Sequence, residues 1–206
     1  MASGAITGRD AGRAAAAGDA RRLACPPRRL QCHRRRAPAR TSASAQQVTT
    51  GPAADALLDL LRRFQEERVD YVLVGGHAVR LNGFTRTTED IDVLLPSSID
   101  NGRRVIRSLA HLKSSSELRP EWFETSVDAP ENIRVADDLL IDLLFAANGE
   151  TYDSLQANVR SITIQGVEVR TLDIAGLLKT KTDYRPKDRI DREVLLRLQQ
   201  QLDRSS

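Results

Sequence analysis

Cysteine is missing from most of this chain. Both cysteines, Cys25 and Cys32, fall within the first fifty residues. No disulfide framework can therefore staple the remainder, which fits a reducing cytoplasm. His33 follows Cys32 directly, yet three loosely spaced ligands fall short of the roughly four tight ones that a structural zinc site takes. Methionine occurs only as Met1, which leaves a start near Val48 as an open alternative. Long apolar runs are missing too. None approaches the ~18 residues of a membrane span, so a soluble protein without membrane contact is expected. Finally, excess positive charge is confined to one end. Residues 1–50 carry ten Arg and two Asp, a net of +8, while residues 51–206 carry 21 basic and 26 acidic side chains, a net of −5. The overall basic balance thus implies no basic surface on the second part, and this argues mildly against broad nucleic-acid contact there.

Residues 1–50 are rich in Arg and Ala, with Leu23 and Leu30 isolated among them. A segment of this kind cannot offset its ordering entropy, so a disordered extension is expected, with an Arg-rich transit peptide as the alternative. The fold should occupy residues 51–206. Ala54, Leu57, Leu58, Leu61 and Phe64 recur at helical spacing to about Arg68. "DYVLVGG" then reads as a strand ending in glycines, "HAVRLNG" as a short helix stopped by Asn82-Gly83, and "DIDVLLP" as a second strand. A helix over 99–112, loops with a short strand near Ile133, and an apolar strand over 138–146 follow. "VRSITIQGVEVRTL" alternates on both sides of Gln165-Gly166, a hairpin signal. Helices over about 173–184 and 186–202 close the chain. This order implies an α+β fold, an α/β-type mixed sheet flanked by helices, with helices at its C-terminus.

The chemistry gathers around three acids. Residues i and i+2 of a strand share a face, so Asp90 and Asp92 point together. Two neighbouring carboxylates repel unless a cation sits between them, and Mg²⁺ is commonly held by one or two carboxylates plus phosphate oxygens. The plainer alternative is a solvated strand end paired with Arg86. Gly75-Gly76 stands where a strand passes into a helix, a place for close backbone approach, positive φ and anion contact. Asp142 lies among leucines in "LLIDLLF". A carboxylate buried there needs compensation. A metal shared with Asp90 and Asp92 would supply it, and so would a salt bridge to Arg134 or to a C-terminal basic residue. "KTDYRPKDRID" reads either as a functional cationic stretch or as a helix start with local ion pairs. Lys181 and Arg185 share a face only if their helix is continuous, and Pro186 disfavours helix at Arg185.

Taken together, Gly-Gly, a short helix, "RTTEDIDVLL" and a later buried acid resemble the nucleotidyltransferase superfamily, the fold shared with DNA polymerase beta. The nearest resemblance is to small bacterial nucleotidyltransferases, including AbiEii-type toxins of abortive-infection systems. These carry G-[GS]-x-A…R-x-T-x-D-[IV]-D and a later K-x-x-x-R followed by acids. Gly75, Gly76, Ala78, Arg86, Thr88, Asp90 and Asp92 match the first pattern, and Lys181, Arg185, Asp188 and Asp191 the second. The resemblance spans about residues 55–203. It implies transfer of a nucleoside monophosphate from an NTP, ATP being one candidate, to a hydroxyl acceptor, with pyrophosphate released. Asp90 and Asp92 would hold two Mg²⁺ (or Mn²⁺) ions, and Asp142 would complete the second site and help to deprotonate the acceptor. Gly75, Gly76, Arg86, Thr88, Lys181 and Arg185 would contact the nucleotide. The acceptor, whether RNA such as tRNA, protein or small molecule, is left open, and an antitoxin partner is an expectation of that branch alone. The contrasting reading is a catalytically inactive nucleotide-binding or partner-binding protein of the same fold, which loss of a metal acid would mark.

Overall fold

Strict alternation along the strands decides which face of the sheet is closed. The structure is a computed structural model that describes residues 52–84, 87–126 and 130–205. The expected extension over residues 1–50 and the expectation for Arg86 lie outside the described residues.

The chain enters as helix α1 (Pro52–Glu66), then runs through strand β1 (Val72–Leu73), helix α2 (Gly75–Leu81), strand β2 (Asp90–Leu94) and helix α3 (Ile99–Ser108). Two short 3₁₀ turns lead to β3 (Ile133–Ala136) and β4 (Leu140–Leu144). A small hairpin, β5 (Ala146–Ala147) and β6 (Glu150–Thr151), precedes the long hairpin β7 (Val159–Ile164) and β8 (Val167–Leu172). Helices α4 (Ile174–Thr180) and α5 (Pro186–Ser205) follow. Six strands form one mixed sheet in the order β3-β4-β2-β1-β8-β7. β2 runs parallel to β4, and β1 parallel to β8; the other three pairings are antiparallel. The α+β expectation holds in element type and order.

On one face of the sheet Ile91, Val93, Ile133, Val135, Ile141, Leu143, Val167 and Val169 are buried. They join the core that Leu57, Leu61 and Phe64 of α1 and Val105 of α3 complete. α1 packs on both β8 and α3. The opposite face of β2, β4 and β3 carries Asp90, Asp92, Asp142, Leu144 and Arg134, all only half-buried. That open face is where polar chemistry can reach solvent. Among the described residues no helix is long and apolar enough to cross a membrane.

Several boundaries differ from the sequence expectation; the helix expected over 99–112, for one, ends at Ser108. The strand expected over 138–146 begins at Leu140, because Asp137 N–H turns back onto the Leu139 carbonyl. The helix expected to reach Tyr184 ends at Thr180, and Lys181 is extended at φ −97°, ψ 131°. Pro186 starts α5 at its first position, where a missing N–H costs nothing. Lys181 and Arg185 are therefore not carried on one helical face.

Candidate active site

The register of the sheet builds the site. Asp92 is the parallel-ladder partner of Asp142, and Asp90 of Leu140. Asp142 is in turn the antiparallel partner of Arg134. A row Asp92–Asp142–Arg134 thus crosses three strands on the open face, with Asp90 one pleat away.

On the other flank, β1 pairs with β2, and Val74 N–H donates to the Asp92 carbonyl at 3.0 Å. The chain then turns into α2 through Gly75 at φ +65°, a conformation costly for any residue bearing Cβ. A Cβ at Gly75 would collide with the Asp92 carboxylate. A Cβ at Gly76 would stand 2.6 Å from Thr88 Oγ1. Thr88 Oγ1 donates to the Asp90 carbonyl at 3.3 Å. The two glycines are thus required by close packing of the α2 start on the acidic strand. Asn82 closes α2, its Nδ2 donating to the carbonyls of Ala78 (2.8 Å) and Leu172 (3.0 Å).

A cavity of about 290 Å³ opens over this face. Gly75, Gly76, Thr88, Asp90 and Asp92 line one part, and Lys181, Thr182, Tyr184, Arg185, Lys187 and Asp188 another. The β5–β6 turn closes the end with Ala146, Ala147 and Asn148. Asn148 Nδ2 ties that turn to the α4 end through the carbonyls of Lys179 (2.8 Å) and Lys181 (3.3 Å).

Charge inside the cavity is unbalanced at Asp92. Its carboxyl is pushed up to about 6, first by burial, then by Asp142; Lys181 pulls it down, Asp90 adds to the rise, and Lys187 opposes it. Such a crowded carboxylate suits a hard divalent cation with oxygen ligands. Asp142 is compensated differently. Both of its oxygens accept from the Arg134 guanidinium, Oδ1 from Nε and Oδ2 from Nη2, and this pairing holds the Arg134 proton more tightly than usual. The salt bridge to Arg134, one of the compensations open to Asp142 in the sequence, is formed. Among the described residues no group of three or more His, Cys, Asp or Glu side chains is gathered as a metal site. Asp142 pairs with Arg134 and is not among the residues that line the cavity.

The C-terminal cations divide in the same way. Lys181 is buried, with Nζ 2.7 Å from Asp191 and 3.6 Å from Asp188. Burial raises the Asp188 carboxyl, yet hydrogen bonds from Thr182 Oγ1 (2.7 Å) and N–H (3.2 Å), aided by Lys181 and Arg185, leave it below the usual range. Asp188 and Asp191 are therefore pairing residues for the loop and its lysine. Arg185 is exposed, its guanidinium 5.9 Å from the Tyr184 ring centroid. Tyr184 itself is 70% exposed at the cavity mouth. His77 is buried in α2 and is not among the cavity-lining residues.

Sequence reasoning passed over Tyr184, Lys187 and Asn148. A signal existed for Lys187: a cation in the first turn of a helix opposes the helix dipole, so it is placed there against local preference. Tyr184 and Asn148 carry no comparable local signature.

No family model and no curated relative matches this sequence. Solved structures do resemble it. A Thermotoga maritima protein described as a candidate nucleotidyltransferase aligns over 69% of this chain and 89% of its own, at 17% identity and a TM-score of 0.46. ANT(2″)-Ia, solved in complex with adenylyl-2″-tobramycin, aligns over 68% and 86%, at 16% identity and 0.43. An antigenic nucleotidyltransferase-like protein of Paracoccidioides brasiliensis aligns over 70% and 73%, at 15% identity and 0.43.

Proposed function

We propose that this chain is a metal-dependent nucleotidyltransferase that moves a nucleoside monophosphate from an NTP to a hydroxyl acceptor. The observation that carries the reading is the register placing Asp92 against Asp142, with Asp90 on the same face and Gly75 packed on Asp92. Three acids beside a cavity with three cationic lining residues suit polyphosphate chemistry, where positioning and charge compensation do most of the work.

In this reading Asp90 and Asp92 hold divalent metal, Mg²⁺ first and Mn²⁺ as substitute. Bound metal would offset the triphosphate charge and polarise the phosphorus under attack. Lys187, Arg185 and the ammonium of Lys181 face the triphosphate from the far wall, and the N–H groups of Gly75 and Gly76 face it from the near one. Tyr184 offers an exposed ring face to the nucleobase. The acceptor oxygen forms its bond to the α-phosphorus as the bond to the β-phosphate bridging oxygen breaks. Pyrophosphate leaves with that electron pair, and the acceptor proton passes to water. Arg86 is proposed as a further phosphate contact and Thr88 as the residue that fixes the Asp90 backbone.

A toxin role with an antitoxin partner, and a cytoplasmic setting, extend the same proposal by analogy to the AbiEii branch. One observation favours the contrasting reading of an inactive binder: Asp142 is engaged by Arg134 rather than gathered with the other acids. Incubating the full chain with each labelled NTP, Mg²⁺ and cell extract separates the two. Label transferred to a distinct acceptor by the wild type, and lost in Asp90→Ala/Asp92→Ala, is the expected result. Equal labelling by the double variant overturns the assignment.

A further inference from the structure

Arg134 has no counterpart in the chemistry described so far, yet it makes the closest charge pairing on the open face. It lies in β3 between the buried Ile133 and Val135, which fixes its side chain on the same face as Asp142 and Asp92. Its fork engages both oxygens of Asp142 at once. The two partners are unequally exposed: the Arg134 side chain is 42% accessible and that of Asp142 14%. The guanidinium can therefore swing into water at small cost, whereas the carboxylate cannot stay behind without a cation.

The same pairing explains why the acids are divided. Asp90 and Asp92 line the cavity, whereas Asp142, one strand over and in register with Asp92, does not. A guanidinium fork on both oxygens takes one lone pair of each, so fewer acceptor sites are left for a metal ion. A metal ion beside it would also stand against a full positive charge a few ångströms away.

Resting on the nucleotidyltransferase reading, we propose that Arg134 is a placeholder cation, which neutralises Asp142 until a second divalent ion arrives with the nucleotide and takes its place. The nucleotide-free protein then binds one divalent ion, at Asp90 and Asp92. The second site opens when the guanidinium yields, so the incoming triphosphate supplies both the ion and the negative charge that draws Arg134 away. Arg134 in this account is a positioning residue. It acts on metal occupancy through Asp142 and touches no reacting atom.

The test counts Mn²⁺ ions on the full-length protein without nucleotide, reading free Mn²⁺ by electron paramagnetic resonance. Wild type should take one ion. Arg134→Gln should take two, with the second bound roughly tenfold or more tighter than any second ion on wild type. Arg134→Gln/Asp142→Asn should return to one, which ties the gained ion to Asp142. Arg134→Lys keeps the charge but loses the fork and should lie between; it carries the comparison if the glutamine variant does not fold. Two ions on the wild type with equal affinity, or no gain in either Arg134 variant, overturn the placeholder while leaving the Asp90–Asp92 site standing. Weaker binding in Arg134→Gln also overturns it and makes Arg134 a permanent orienting partner. Absence of Mn²⁺ binding in every form overturns the nucleotidyltransferase reading as well.

Discussion

Replacing Asp92 by Asn should make the metal-free protein more stable at neutral pH while destroying its metal response. The magnitude follows from the carboxyl's environment. Burial, then Asp142 and Asp90, outweigh Lys181 and Lys187 and raise Asp92 from 3.8 to about 6. A proton therefore binds this group more tightly in the folded state than in the unfolded chain. The stability it contributes is complete below the unfolded value, near pH 4, and is lost as pH rises through about 6. Two units at about 1.4 kcal/mol each give a loss of about 3 kcal/mol by neutral pH. An amide of the same shape carries no charge and escapes that loss. Urea unfolding in EDTA should thus find Asp92→Asn up to about 3 kcal/mol more stable than wild type at neutral pH, the gap closing toward pH 4. Excess Mg²⁺ should recover stability for wild type, by about 2.7 kcal/mol at a hundredfold excess over its dissociation constant. It should do nothing for the variant. A variant equally destabilised at every pH, or a gap that does not widen as pH rises, refutes the account of a crowded carboxylate awaiting a cation.

Three further outcomes follow from particular contacts. Gly75→Ala should cost at least about 1–3 kcal/mol, read by thermal unfolding, and depress transfer, because it meets both a positive φ and the Asp92 carboxylate. Lys181→Met should destabilise by about 3–5 kcal/mol in urea unfolding, since the buried carboxylate of Asp191 loses its cation at 2.7 Å; an unchanged midpoint would mean that Lys181 is held for function alone. Tyr184→Ala should leave the unfolding midpoint within experimental scatter, the ring being 70% exposed. Its KM for NTP should nevertheless rise, consistent with a stacking loss of about 1–3 kcal/mol, with inhibition by inorganic tripolyphosphate unaffected.

Local periodicity carried much of this protein. A strand's two-residue repeat alone puts Asp90 and Asp92 on one face and Ile91 on the other, and the burial of Ile91 agrees. The hairpin at Gln165-Gly166 was legible for the same kind of reason: both residues take positive φ, 50° and 79°, which turn chemistry demands. Gly75 announced a tight passage from strand to helix, and its φ of +65° bears that out. What lay beyond reach was every relation between segments far apart in sequence. Whether Asp142 stood beside Asp92 depended on how β4 was laid against β2, a register decided by the whole sheet. The break that Pro186 foretold between Lys181 and Arg185 is present, but the burial of Lys181 against Asp191 was set only by the packing of α5. Asp142 marks the division most clearly. Sequence alone established that a carboxylate among leucines must be compensated, because an unpaired buried charge is too costly to keep. Only the tertiary structure, by setting Arg134 opposite it in β3, decided which cation holds it in the metal-free fold.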